Sequence, residues 1–253
     1  MSKNTQYDKN AGSGMFERHY VKTIVDRISE TNNPLMQVVV GPRQTGKSTM
    51  LGQALAKIDT EQFFISADDA IVPSEEWLQV EWQQARNATR SGSRPVVLVV
   101  DEIQKVPHWS LVVKSLYDAD RRNDMPVRVV LSGSSSLLLH KGLEDSLMGR
   151  FELIHSPHWS YSECSQAFGF SFDDYLYYGG YPGAARFASD DARWISYIRE
   201  AIIEPTISQD VLALEDIRKP ALMRRFSGSA QRIQRKNSRI PRCLDNCKMR
   251  ATR

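Results

Sequence analysis

The chain has 253 residues, of which 41% are hydrophobic and 25% charged, an ordinary globular balance that excludes collagen-like, low-complexity and wholly disordered chains. Its polar first ten residues contain no apolar signal core, its longest aliphatic run (96–100) is too short to cross a bilayer, and three cysteines make no disulfide framework. These features predict a cytoplasmic protein with no membrane association. The net charge of +3 conceals an asymmetry: residues 224–253 carry ten Lys or Arg and one acid, Asp245, whereas residues 1–223 carry 23 basic and 29 acidic residues.

Residues 1–14 read as a flexible, polar lead-in. Val21, Ile24, Val25 and Ile28 repeat at helical spacing, and Asn33-Pro34 ends that helix. Residues 35–40 read as a buried strand running into a glycine-rich turn, and 48–58 as a helix. A strand over 63–67, a helix over 77–89 and a third strand over 96–100 follow; the last is unbroken and β-branched, the pattern of a strand buried on both faces. A helix over 111–119 and strands over 127–131 and 151–154 complete the alternation. It predicts an α/β fold, a parallel sheet with helices on both faces, over residues 15–156. Residues 157–225 read as a small helical region interrupted by the turn Tyr178-Gly179-Gly180-Tyr181-Pro182-Gly183.

Two motifs carry chemistry. Gly41-Pro42-Arg43-Gln44-Thr45-Gly46-Lys47-Ser48 fits G-x-x-x-x-G-K-[ST], the P-loop or Walker A pattern, between a strand and a helix. Gly41 and Gly46 permit close approach of backbone amides to phosphate oxygens, and the helix that follows points its first N–H groups at the anion. Lys47 supplies a charge for the β- and γ-phosphates, Ser48 a hydroxyl for a Mg²⁺ shell, and Thr49 lies near the α-phosphate. The second motif is the strand 96–100 ending in Asp101-Glu102, a Walker B pattern at the sheet edge where ligands of open α/β sheets bind. Asp101 suits Mg²⁺, and Glu102 suits polarisation of a water for attack on the γ-phosphate. A carboxylate beside the metal ligand favours ATP hydrolysis over phosphoryl transfer to a small molecule.

A third strand end, Ser132-Gly133-Ser134-Ser135-Ser136, offers hydroxyls either to sense a γ-phosphate or to cap a helix; Ser134 is the favoured sensor. Arg150 is placed either as a finger toward a neighbouring subunit's γ-phosphate or as a salt-bridge partner of Glu144, Asp145 or Glu152. Cys243 and Cys247, four apart, leave a zinc site open as a minor reading, while the five histidines show no metal spacing and suit packing.

With these motifs in hand, a family resemblance is visible. G-P-R-Q-T-G-K-S-T, V-D-E-I-Q, L-S-G-S-S, S-L-M-G-R and Y-G-G-Y-P together resemble the prokaryotic AAA-type (AAA+ superfamily) ATP-binding proteins that carry the C-terminal domain of unknown function 4143, from about Met15 to Met223. The resemblance implies a core sheet with the P-loop strand in the middle and the Walker B strand one strand away. It also implies a helical region, then a winged-helix-like segment and a nuclease-like α/β module; the two motifs themselves call for ATP and Mg²⁺ as cofactors, and a homo-oligomer and a DNA or protein partner are left open. The chain departs from the pattern at its end: residues 226–253 are basic, lack apolar periodicity, and read as a disordered tail produced by truncation or an out-of-frame translation. Back-translation of 232–253 with free synonymous choice permits a helix-forming sequence in a shifted frame. Two other functions compete with ATP hydrolysis. One is a nucleotide-dependent switch without turnover. The other is DNA binding through the tail, which offers no aromatic residue beyond Phe226 for base stacking.

Overall fold

A computed structural model describes residues 15–31, 35–91, 95–134, 143 and 146–206. The chain divides into two compact units, residues 1–158 and 159–253.

The first unit is built on five parallel strands: β1 (Met36–Gly41), β2 (Glu61–Ser66), β3 (Val96–Asp101), β4 (Val127–Ser134) and β5 (Phe151–His155), in the order β2-β3-β4-β1-β5. Between them run α1 (Tyr20–Ile28), α2 (Lys47–Leu55), α3 (Glu75–Ser91) and α4 (Trp109–Arg122). β1 and β3 are buried along their whole length, and their β-branched residues face alternately up and down, so each strand feeds two cores. Val38, Val40, Leu98, Val100, Val129 and Leu131 pack with Leu78 and Trp82 of α3 and Val112, Val113 and Tyr117 of α4. Their alternates Val39, Val97, Val99 and Val130 pack with Val21 and Ile24 of α1 and Met50, Leu51 and Ala54 of α2. A one-residue slip of any central strand would exchange the two sets, which is why the register is fixed.

This is the expected doubly covered parallel sheet, with two refinements. β1 lies between β4 and β5, so the P-loop strand is internal, but the middle strand of the five is β4. β4 also continues to Ser134, beyond the expected end at 131, because Gly41 of β1 pairs with Ser134. One strand, β4, separates β3 from β1, as expected. A second polar anchor sits under α3 and α4: the buried Asp120 carboxylate accepts from Trp82 Nε1 at 2.7 Å and from Arg86 Nε at 2.6 Å.

The second unit begins with short helices α5 (Tyr161–Phe168), α6 (Phe172–Tyr178), α7 (Pro182–Ala185) and α8 (Asp191–Tyr197), then a π-helical turn, Ile198–Ile203. Ser160 with Glu163 and Ser171 with Asp174 form reciprocal capping boxes that start α5 and α6. Trp194 stacks on Tyr177 with centroids 5.6 Å apart and meets Tyr178 edge-on, so these aromatics serve packing. Gly180 allows the backbone to approach Trp159, whose carbonyl oxygen would lie 2.3 Å from a Cβ at that position. Among the described residues, no helix is long and apolar enough to cross a membrane. Ser135, Ser136, His140, Glu144, Asp145, Cys243, Cys247 and the basic tail lie outside the described residues.

Candidate functional site

The parallel register brings the C-terminal ends of the strands to one edge. Gly41 lies opposite Ser134, Ser66 opposite Asp101, and Val100 opposite Leu131, so β1, β3 and β4 present their terminal residues together. Every predicted phosphate-site residue except Arg150 is at that edge: Gly41 closes β1, Pro42, Arg43, Gln44 and Thr45 form the turn, and Gly46 precedes α2. Lys47, Ser48 and Thr49 occupy the first turn of α2.

The loop's shape follows from its residues. Gly46 holds φ +83°, and a Cβ there would meet nothing within 4 Å, so the conformation itself demands glycine. Gly41 is different: a Cβ would sit 2.0 Å from the carbonyl oxygen of Ser156, the residue after β5. Ser156 in turn donates its N–H to Val40 O at 2.7 Å, and the buried Arg18 donates to Ser156 Oγ at 2.8 Å and Pro157 O at 3.1 Å. Gln44 adopts a left-handed backbone at φ +62°, and Thr45 Oγ1 donates to Pro42 O at 2.9 Å. The buried Lys47 folds its ammonium back over the loop, donating to Gly41 O at 3.0 Å and Pro42 O at 2.9 Å.

Asp101 is the hub of the acidic side. It is 5% exposed; Oδ2 accepts from Ser48 Oγ at 2.6 Å, and Oδ1 accepts from Ser132 Oγ and from the N–H of Glu102 at 3.0 Å. Helix α2, strand β3 and strand β4 are thereby tied through one carboxylate. Glu102 follows in a left-handed backbone at φ +51° and opens a short 3₁₀ turn, Ile103–Lys105, whose Gln104 donates Nε2 to Glu102 Oε2 and to Ser134 Oγ at 3.2 Å. Left-handed backbone at a non-glycine residue costs on the order of 1–2 kcal/mol, and such strain gathers at working sites.

A Mg²⁺ ion prefers hard oxygen donors, one or two carboxylates, and retained water or phosphate oxygens. The donor set fits: the Asp101 carboxylate and Ser48 hydroxyl are already within 2.6 Å of each other, with no sulfur or imidazole beside them in the motif. Among the described residues there is no cluster of three His, Cys, Asp or Glu side chains that would hold a metal without a substrate's help.

Arg150 is not brought to this edge. It precedes β5, and its carbonyl accepts from Met36 N at the start of β1, so it lies at the opposite end of a five-residue strand, about 17 Å along. Its guanidinium grips Asp118 of α4 with both arms, Nε at 2.7 Å and Nη2 at 3.0 Å. That bond holds the Asp118 carboxyl below its usual range. Of the anticipated partners, Glu152 instead accepts from Gln37 at 2.9 Å and lies 3.8 Å from Arg27.

Sequence reasoning passed over Ser132's bond to Asp101, Gln104's bridging position, and the Arg18–Ser156 support of Gly41. The strand-end position gave a signal for Ser132. Nothing in the sequence marks Ser156.

A parallel sheet with a P-loop between β1 and α2 and paired acids after β3 defines a P-loop NTPase. A family model described as AAA domain matches residues 33–165, more than half of the chain, and the chain belongs to that family. A second model, a domain of unknown function (DUF8612), matches residues 169–240. It is a different C-terminal domain from the one the resemblance implied, and its match runs in frame past Phe226. An uncharacterized protein of Methanocaldococcus jannaschii is 27% identical over 140 residues, covering 50% of this chain and 27% of its own length. The matched stretch therefore spans about a quarter of that relative. Solved structures are more distant. A katanin structure is 19% identical over 79% of this chain and 73% of its own, with a TM-score of 0.45. ORC1 of Aeropyrum pernix in complex with DNA is 13% identical over 72% and 58%, with a TM-score of 0.47. RuvB of Thermotoga maritima is 20% identical over 59% and 47%, with a TM-score of 0.41. Likeness at this level carries no weight for function.

Proposed function

We propose that this chain is a Mg²⁺-dependent ATPase, converting ATP and water to ADP and phosphate. The observation that carries the reading is the Ser48–Asp101 bond at 2.6 Å, which joins the P-loop helix to the Walker B strand with Glu102 immediately beyond. The amides of residues 43–48 and the Lys47 ammonium take the β- and γ-phosphate oxygens, exchanging the loop carbonyls for phosphate. Ser48 and Asp101 would hold Mg²⁺, which when bound neutralises phosphate charge. Glu102 accepts a proton from the attacking water. The water oxygen bonds to the γ-phosphorus, and the bridging oxygen leaves with its electron pair on ADP.

The test is phosphate release by the purified full chain, with and without Mg²⁺. Lys47→Ala should lose binding of a fluorescent ATP analogue while keeping its fold. Glu102→Gln should bind the analogue but turn over about a hundredfold more slowly, the usual scale for a positioned base. Unchanged turnover in Glu102→Gln would remove Glu102 from the mechanism and leave it a strand-end acid. ATP binding with no phosphate release from the wild-type chain would instead support a nucleotide-dependent switch.

A further inference from the structure

The Gln104 side chain bridges Glu102 and Ser134. Its Nε2 donates to Glu102 Oε2 and, at 3.2 Å, to Ser134 Oγ, while its Oε1 is buried and meets no donor among the described residues. A buried acceptor left unmet costs about as much as a hydrogen bond to a charged group contributes. The amide therefore gains little stability from this orientation. Turning it over would set Oε1 against the Glu102 carboxylate, acceptor to acceptor, so the charge on Glu102 fixes which way the amide faces.

That orientation has a consequence for Ser134. Because its oxygen accepts from Gln104, its own hydroxyl proton is left to donate, and Ser134 lies opposite Gly41 at the phosphate edge. A hydroxyl that donates to an anion becomes a stronger acceptor for the bond behind it. A γ-phosphate oxygen at Ser134 thus tightens the Gln104 bond, and the same Nε2 group holds one oxygen of Glu102.

We propose that Gln104 is a positioning residue whose amide couples γ-phosphate recognition at Ser134 to the aim of the Glu102 carboxylate. The proposal rests on the hydrolase reading above. Gln104 takes no part in bond making: water adds to the γ-phosphorus, the bridging oxygen leaves, and the proton passes to Glu102.

The experiment uses the full chain. Gln104→Met keeps the length of the side chain and removes both donor bonds. Its kcat should fall about tenfold or more, within the range that proton-transfer geometry controls, while affinity for a fluorescent ATP analogue stays within about twofold. The double variant Gln104→Met/Ser134→Ala should lose no more kcat than the worse single variant, because both act in one chain of bonds. Wild-type kcat in Gln104→Met beside an inactive Glu102→Gln overturns this inference alone, and so do strictly additive losses. A wild-type chain without turnover overturns the hydrolase reading and this inference with it, whereas a fully active Glu102→Gln leaves hydrolysis standing and overturns the role of Glu102 and the coupling to it. If Gln104→Met does not fold, Gln104→Glu is measured in the same way, and wild-type kcat there overturns the coupling.

Discussion

Gly41 and Gly46 share a motif but are glycine for different reasons, and replacing each by alanine separates them. In Gly41→Ala the new methyl would stand 2.0 Å from Ser156 O and 3.0 Å from Ser156 C, where carbon–oxygen contacts ordinarily begin near about 3.3 Å. Relief needs a shift of about 1.3 Å between β1 and the segment after β5. That segment is held by its 2.7 Å bond to Val40 O and by two bonds from Arg18. Overpacking costs about 1–3 kcal/mol, the backbone bond about 1, and the bonds to Arg18 about 1.5–3 in total if they loosen together. The sum is about 3–7 kcal/mol, a large part of the roughly 5–15 kcal/mol that holds a domain folded. In Gly46→Ala the methyl meets open space, and only the left-handed backbone is penalised, by about 1–2 kcal/mol. At about 2–4 °C per kcal/mol, Gly41→Ala should lower Tm by about 6–28 °C and Gly46→Ala by about 2–8 °C. Gly46→Ala should nevertheless lose analogue binding in a folded protein, because relaxing the left-handed backbone at φ +83° re-aims the amides of the loop. Thermal melts and analogue titrations of the two full-length variants decide it. A Gly41→Ala protein melting within about 2 °C of wild type, or a Gly46→Ala protein less stable than Gly41→Ala, refutes the reasoning.

Three further outcomes are expected. Asp120→Ala leaves the buried Trp82 Nε1 without its acceptor and the half-buried Arg86 with its 2.9 Å bond to Leu116 O, and equilibrium denaturation should show a loss of about 2–4 kcal/mol. Asp118 has a folded-state pKa below its usual 3.8, so its contribution is present above that value and is lost as pH falls through the folded pKa. Asp118→Asn should flatten the acid limb of stability below about pH 4, as read by pH-dependent melts, and an unchanged limb means the pair does not form in solution. Arg150→Ala should reduce phosphate release more than ATP binding if a second copy receives this side chain. Mixing it with Lys47→Ala protein should then restore part of the activity, and no restoration in a confirmed oligomer excludes the trans role.

The sheet was legible because its strands are aliphatic on both faces and its helices on one. Val96 to Val100 has no polar residue to disguise it, and the P-loop spacing identified the edge that binds. Boundaries shifted where pairing decides them: β4 gained Ser132, Gly133 and Ser134 because β1 extends beside them. The expected partners of Arg150 were its sequence neighbours, whereas the bond goes to Asp118, 32 residues earlier, because α4 returns to the start of β5. Ser156 and Arg18 left no trace, since their work is to support another residue's backbone, and a serine or arginine does that without a pattern. For Gln104, the sequence showed its place after Asp101-Glu102, but a two-acceptor bridge needs the folded β4 beside it.

The polar groups of this edge are bound mainly to one another. Ser48 and Ser132 both donate to Asp101, Lys47 donates to the carbonyls of its own loop, and Gln104 donates to Glu102 and Ser134. Under the proposed reading, a nucleotide entering such a site would exchange hydrogen bonds more than add them, and its affinity would come from charge: phosphate in place of neutral carbonyls at Lys47, and a cation in place of a serine proton at Asp101. The exchange also passes between elements. Were Ser48 to turn its oxygen toward a cation it would release Asp101 Oδ2 for that cation, while Ser132 of β4 and the N–H of Glu102 would go on holding Oδ1. The strand that bears the proposed γ-phosphate sensor, Ser134, is therefore also the strand whose Ser132 holds the carboxylate proposed for the metal.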